Sequence, residues 1–255
     1  MSSDTGLRRF VRPQGAAQPA TDVSAETPAQ AAETAAPSPE KCEMCAAEVP
    51  AEHGHVADLE GSSLLCACRP CYLLFTTPTG GVRGDLPTGK RSGGRYRAVP
   101  DRYLADPSRT MSPAEWDQLQ IPVGLAFFLR SSRADGELTG FYPSPAGATE
   151  CRLDLQRWEQ LVADYPLLGA PEADVEAALI SRSDAGMEYF VVPIDACYEL
   201  AGRMRLYWRG FDGGTEARQS IAAFLAGVRS RARNFSQVAG QENGTLNPAK
   251  EHSHG

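Results

Sequence analysis

Cys42-Glu43-Met44-Cys45 and, twenty residues later, Cys66-Ala67-Cys68-Arg69-Pro70-Cys71 decide how this chain is read. Two C-x-x-C pairs stand here, Cys42/Cys45 and Cys68/Cys71. Two residues between thiols let a tight turn aim both sulfurs at one centre, and two such turns complete a tetrahedral set. Of the seven cysteines, five lie between Cys42 and Cys71, while Cys151 and Cys197 are isolated. Clustered thiols without an export signal read as metal ligands before disulfides. A lobe this short has few core residues, so the binding energy of an ion is what would hold it together.

The ligand set has alternatives. Cys66 can replace Cys68 or sit beside the site as a spare thiol. His53 and His55, in the loop Glu52-His53-Gly54-His55, can join a mixed Cys/His site, hold a second metal, or belong to a plain polar loop. Glu52 to Asp58, then Gly61 and Leu64-Leu65, suit the hairpin of a zinc ribbon. Zinc is the default for a closed thiolate site. A rubredoxin-like iron centre uses the same four sulfurs, but its knuckles carry Gly after each second cysteine, where this chain has Ala46 and Tyr72. An iron–sulfur cluster can also use these thiols. A dithiol redox pair needs a strand–helix context that the pattern lacks.

Outward from this lobe, the 255 residues divide by composition. Residues 1–40 are rich in Ala, Pro, Ser and Thr and read as disordered, as does the tail 234–255 with His252 and His254. The cysteine module spans 41–76, and 77–110 reads as a Gly/Arg-rich connector. Sustained apolar patterning is confined to 111–233. There Ser112-Pro113-Ala114-Glu115 opens a helix with a capping box. Val123 to Leu129 suits a buried strand, Ala134-Asp135-Gly136 a hairpin turn and Glu137 to Tyr142 the returning strand. Leu155, Trp158, Leu161, Val162 and Tyr165 recur at helical spacing until Pro166. Val175 to Ile180 fits helix or strand. Asp184-Ala185-Gly186 is a turn before the strand Tyr189 to Val192. Asp195 is placed to cap a helix, Arg205 to Trp208 reads as a short strand, and Gly213-Gly214-Thr215 leads into a last helix. Leu73, Leu74 and Phe75 are expected to pack the cysteine module onto the rest. The fold class expected is α+β with a mostly antiparallel sheet.

Other signals are weaker. Gly84 to Lys90 spells part of a phosphate loop, but Arg91 stands where Ser or Thr should bind magnesium. Arg91, Arg95 and Arg97 make the connector basic enough to suggest nucleic acid, against a net charge of −7 for the chain. No Ser-His-Asp set can be assembled, because no histidine lies between His55 and His252. No catalytic residue is therefore assigned, and Cys151 and Cys197 read as structural thiols. No apolar run reaches membrane-spanning length and none follows the arginines of Met1–Arg12, so a cytoplasmic location without membrane contact is expected.

The stretch Cys42–Phe75, together with Phe141 to Gly147, Val192-Pro193-Ile194-Asp195-Ala196-Cys197-Tyr198, Trp208-Arg209-Gly210 and Gly213 to Glu216, resembles a family of bacterial proteins. That family is mostly actinobacterial and is catalogued as a domain of unknown function. The resemblance covers about residues 40–233. Its members are often encoded beside nickel–iron uptake hydrogenases. It thus implies an accessory role in hydrogenase assembly or electron transfer, with a hydrogenase subunit or maturation factor as the protein client. Three readings follow: a metal-binding accessory protein, a rubredoxin-like electron carrier, and a zinc-ribbon nucleic-acid binder.

Overall fold

A computed structural model describes residues 39–76, 94–132, 136–183, 186–210 and 213–238. The disordered segments expected at the two ends fall largely outside these residues. So do the Gly84–Lys90 motif, Arg91 and the turn residues Ala134, Asp135, Asp184 and Ala185.

Gly54–Asp58 (β1) and Ser63–Ala67 (β2) form an antiparallel hairpin, and Arg69–Leu73 (α1) follows at once. Asp58 shapes the hairpin's turn, since its Oδ1 accepts the N–H groups of Glu60 and Gly61 at 3.0 and 3.1 Å. Tyr96–Ala98 (β3) pairs with the other edge of β1, giving a three-stranded sheet in the order β2-β1-β3. The expected connector therefore contributes a strand to the cysteine lobe. It contributes another, Leu104–Ala105 (β4), to a larger sheet.

That larger sheet is built from β4 and six more strands. After Pro113–Asp117 (α2) come Leu125–Arg130 (β5), Leu138–Ser144 (β6) and Gly147–Cys151 (β7). Leu155–Asp164 (α3) leads to Glu176–Ser183 (β8) and Gly186–Pro193 (β9). Ile194–Tyr207 (α4), Gly214–Arg231 (α5) and Arg233–Asn234 (β10) complete the unit. Strand order is β10-β4-β9-β8-β5-β6-β7, with β10–β4 parallel and the other pairs antiparallel. The fold is thus α+β with mostly antiparallel sheets, and the cysteines near 42–71 sit in a small lobe of their own. Among the described residues no helix is long and apolar enough to cross a membrane.

Both faces of the seven-stranded sheet are covered. Leu125, Phe127, Leu179, Phe190 and Val192 face α4 and α5, whose Leu200, Met204, Phe224 and Val228 join them. Their strand neighbours Ala126, Phe128, Ile180, Tyr189 and Val191 face the other way, onto Trp116, Trp158, Leu161 and Leu167. Successive strand residues point to opposite faces, so burial on both sides makes β5, β8 and β9 continuously apolar. That is why Val175 to Ile180 showed no period of two, although it is strand from Glu176 onward. At α2 the capping box is complete: Ser112 Oγ accepts the Glu115 N–H at 3.3 Å and Glu115 Oε2 accepts the Ser112 N–H at 2.7 Å.

Three local expectations are corrected. Arg205 to Tyr207 is the last turn of α4, anchored by fully buried Met204, and not a strand. Asp195 lies inside the first turn of that helix, whose N-cap position is held by Pro193. Leu73 and Leu74 do not pack the lobe onto the rest; they are 47% and 65% exposed. Docking is done instead by Ala57, Leu59 and Leu64, which share one apolar cluster with Val99, Tyr103 and α4. The strand β7 was not anticipated at all. Its entry turn needs Gly147, at φ +102°, because a Cβ there would lie 2.7 Å from the Arg205 side chain.

Candidate metal centre

The sulfurs of Cys42, Cys45, Cys68 and Cys71 all lie within 4.8 Å of one another. Cys45 Sγ and Cys68 Sγ are 3.6 Å apart. Four thiolates around one ion at about 2.3 Å stand roughly 3.8 Å from each other, so the cage is close to the size an ion requires. The donor set is closed, with four thiols and no vacancy. These residues can hold a metal ion.

Local structure explains the convergence. The first pair rides on a tight knuckle, in which the Ala46 N–H donates to Cys42 C=O at 2.8 Å and the Cys42 N–H to Ala47 C=O at 2.7 Å. Ala46 takes φ +63°, a left-handed conformation that costs an alanine more than a glycine. The second pair is placed differently: Cys68 is the N-cap of α1 and Cys71 lies in its first turn, with Pro70 between them. Pro is tolerated there because the first helical N–H groups have no intrahelical acceptor. The lobe is thus ordered as knuckle, hairpin and helical turn, the second pair standing on a helix and not on a second loop.

Glu43 ties knuckle to hairpin. Its N–H donates to Cys66 C=O at 2.9 Å, and its Oε2 accepts the Cys66 N–H at 2.7 Å. Electrostatically the four thiols are unequal. The Cys68 backbone N–H, with those of Met44 and Cys45, pulls the Cys42 thiol down to about 6. Cys71 is pushed up to about 12, chiefly by the neighbouring Cys68 and Cys45 side chains. One thiolate is therefore easily accommodated, and four require a cation to balance them.

His53, His55 and Cys66 do not enter this cage but form a group of their own, with one ligand atom from each within 4.8 Å of the others. Strand geometry brings them together. His53 stands just before β1 and His55 on it, and Cys66 pairs directly with His55 across the hairpin. The imidazoles stand 4.9 Å apart between centroids. His53 Nδ1 contacts Pro50 C=O at 2.8 Å, and His55 Nδ1 contacts Asp195 Oδ2 at 2.9 Å. Burial, helped by Glu43 and Glu40, pushes the Cys66 thiol up.

A family of unknown function, DUF5947, matches residues 41–232. The chain belongs to it. No curated protein and no solved structure matches the chain. The family's span begins one residue before Cys42 and ends just after α5, so it takes in the cysteine lobe and most of the large sheet together.

The basic candidates of the connector are engaged in ion pairs. Arg95 donates to Asp58 from Nε at 2.9 Å and from Nη2 at 2.7 Å. Arg97 donates to Ala173 C=O at 2.6 Å and to Glu172 Oε2 at 2.9 Å. Arg91 lies outside the described residues. Cys197 is fully enclosed and Cys151 half-buried, and desolvation raises both thiols, as expected of packing residues. Sequence reasoning missed Glu43 and the Gly54–Tyr72 contact, and gave Asp195 a capping role in place of its contact with His55. Gly54 is needed because a Cβ would stand 2.6 Å from the Tyr72 ring. Only the HisGlyHis spacing hinted at it.

Proposed function

We propose that this chain is a non-enzymatic accessory protein whose Cys42, Cys45, Cys68 and Cys71 bind a structural zinc ion and whose role is exercised through protein–protein contacts. One observation carries the metal half: four sulfurs meet where knuckle, hairpin and α1 join, and α1 buries none of its side chains. A five-residue helix with no fully buried side chain, held by the half-buried Tyr72 against Gly54 and its hydrogen bond to Val99 C=O, has little other packing. An ion supplies what packing does not. The site's four protein donors leave no open position, the pattern of structural and not catalytic zinc.

The client is taken from the resemblance: a nickel–iron hydrogenase subunit or maturation factor. Exposed Leu73 and Leu74, two and three residues after Cys71, offer an apolar edge beside the metal lobe for such a contact. The test has two parts. Metal analysis with a visible spectrum should find zinc in a colourless protein, lost in Cys45→Ser. Gentle purification from the native host should recover a hydrogenase component; recovering none overturns the client assignment.

A second reading is a rubredoxin-like iron carrier. Ala46 favours it to this extent: its positive φ reaches the conformation that such knuckles normally assign to glycine. A red protein that bleaches on reduction would replace zinc with iron and the accessory role with electron transfer.

A further inference from the structure

We propose that His53, His55 and Cys66 form a second metal site, separate from the four-cysteine cage, which binds one Zn2+ through three protein donors and keeps a fourth position open. The proposal goes beyond the function proposed above and does not depend on it.

The tautomers are decided by their partners. Pro50 C=O can only accept, so the 2.8 Å contact makes His53 Nδ1 the donor. In the neutral ring, Nε2 then carries a bare lone pair. That atom is buried, has no hydrogen-bond partner, and belongs to a side chain only 7% exposed. A buried acceptor with nothing to accept is rare in a folded protein. Among the described residues two other buried side-chain atoms share the condition, Trp158 Nε1 and Asp174 Oδ2. The first is a donor that no cation could use, and the second has Arg97 Nη1 at 3.6 Å. Among the described residues, only His53 of these three belongs to a group with a second imidazole and a thiol.

His55 is prepared in the same sense. Its Nδ1 faces the Asp195 carboxylate at 2.9 Å, and a carboxylate acceptor again leaves Nε2 as the lone-pair nitrogen. Carboxylate–histidine pairs of this kind orient metal-bound imidazoles and raise their basicity. Both rings therefore turn their free nitrogens away from fixed acceptors, and Cys66 sits opposite His55 in the hairpin register. Two imidazoles and a thiolate suit a borderline cation. Glu40, 3.6 Å from His53 Nδ1, and Glu43, on the Cys66 N–H, make the surroundings anionic. Among the described residues no fourth His, Cys, Asp or Glu joins the group, and three protein donors are the count of zinc centres that exchange a ligand.

The test titrates metal-stripped, full-length protein with Zn2+ against a chromophoric chelator and reads the stoichiometry. Wild-type protein takes up two equivalents per chain. Cys66→Ser and His53→Gln each take up one, and Asp195→Asn weakens the second equivalent about 10- to 100-fold while sparing the first. A wild-type chain that stops at one equivalent, itself lost in Cys45→Ser, overturns the proposal, and so does a second equivalent that survives both Cys66→Ser and His53→Gln. If Cys66→Ser or His53→Gln fails to fold, the wild-type stoichiometry read beside that of Cys45→Ser still decides. The two metal readings fail distinguishably. Losing this one leaves a single equivalent that vanishes in Cys45→Ser, whereas losing the cage leaves an equivalent that Cys45→Ser does not touch or none at all.

Discussion

His55 Nδ1 and Asp195 Oδ2 meet at 2.9 Å across 140 residues of sequence. One stands on β1 of the cysteine lobe and the other in the first turn of α4. Arg97 of β3 adds polar contacts between these two parts, to Ala173 C=O and Glu172, and Ala57, Leu59 and Leu64 supply the apolar part of the junction. Asp195→Ala should therefore loosen the lobe's docking by about 1 kcal/mol, the net worth of a partly buried side-chain hydrogen bond. Amide exchange of β1 and β2 should accelerate roughly fivefold, while that of β8 and β9 stays as it was. Uniform acceleration across both sheets would show that the contact does not act locally.

Cys45→Ser and Cys71→Ser are expected to release the ion from the four-sulfur cage. Knuckle and α1 should then fray, since neither has a buried apolar side chain sufficient to hold it apart from Cys42 and Val49. The large sheet should persist, because its α2/α3-side core draws on residues 104 onward and on nothing from the lobe. Limited proteolysis should cut within 41–76 and leave a resistant fragment. Circular dichroism showing the entire chain unfolded would mean that lobe and sheet are one cooperative unit.

Acid should weaken the lobe through Asp58. The paired Arg95, with the N–H groups of Gly61 and Glu60, draws its carboxyl from 3.8 down to about 2. A group depressed in the folded state stabilises fully above its unfolded pKa and loses that contribution as pH falls through the folded one. The window is therefore between about pH 4 and pH 2. Arg95 is roughly half exposed, so solvent screening limits the effect to about 1 kcal/mol. Urea midpoints of the wild type and Asp58→Asn, compared at each pH, should differ above pH 4 and converge near 2. A constant difference would remove the ion pair from the cause.

How much of this was legible follows from where each signal resides. Paired cysteines at fixed spacing write their convergence into a short stretch, and so do Ser112 and Glu115, whose capping box is complete within four residues. Hairpins also show when one face is polar. Strands β5, β8 and β9 hid their period because Leu179 and Ile180 are both fully buried, on opposite faces. Arg205 to Trp208 imitated a strand by alternation, while the evidence for helix lay further back, in Leu200 and Met204 four residues apart. Nothing local could announce that Asp195 would reach His55, or that Arg95 and Arg97 would be taken up by Asp58 and Glu172. Contacts of that range are made by the sheet order, which spacing does not encode. His53 and Cys66 were visible as candidates, but their separation from the main cage depended on hairpin register, and one residue of slip would have turned Cys66 to the other face.

Gly54→Ala should disturb both candidate sites by a single methyl group. The added Cβ would lie 2.6 Å from Cδ2 and 3.0 Å from Cγ of Tyr72, a ring fixed at its far end by a 2.9 Å hydrogen bond to Val99 C=O.

The ring therefore has to move, and it follows Cys71 directly in α1, so the displacement reaches the second cysteine pair. Overpacking of this kind typically costs about 1–3 kcal/mol.

A final prediction concerns the large sheet alone. Glu176 is fully buried, and Arg102 meets it with Nε on Oε1 at 2.7 Å and Nη2 on Oε2, while the Glu172 N–H adds 2.8 Å to the latter oxygen. Removing the cation strands a carboxylate in the interior, a loss of about 3–5 kcal/mol when a buried pair is broken on one side. Because the Arg102 side chain is one-quarter exposed and the Glu172 N–H remains, Arg102→Leu should sit at the lower end, about 3 kcal/mol. Replacing both partners, as Arg102→Leu with Glu176→Leu, should recover part of that loss, since no buried charge is left unpaired. Chemical denaturation of the two variants checks it: a double variant no more stable than Arg102→Leu would mean that Glu176 contributes through its backbone surroundings and not through its charge.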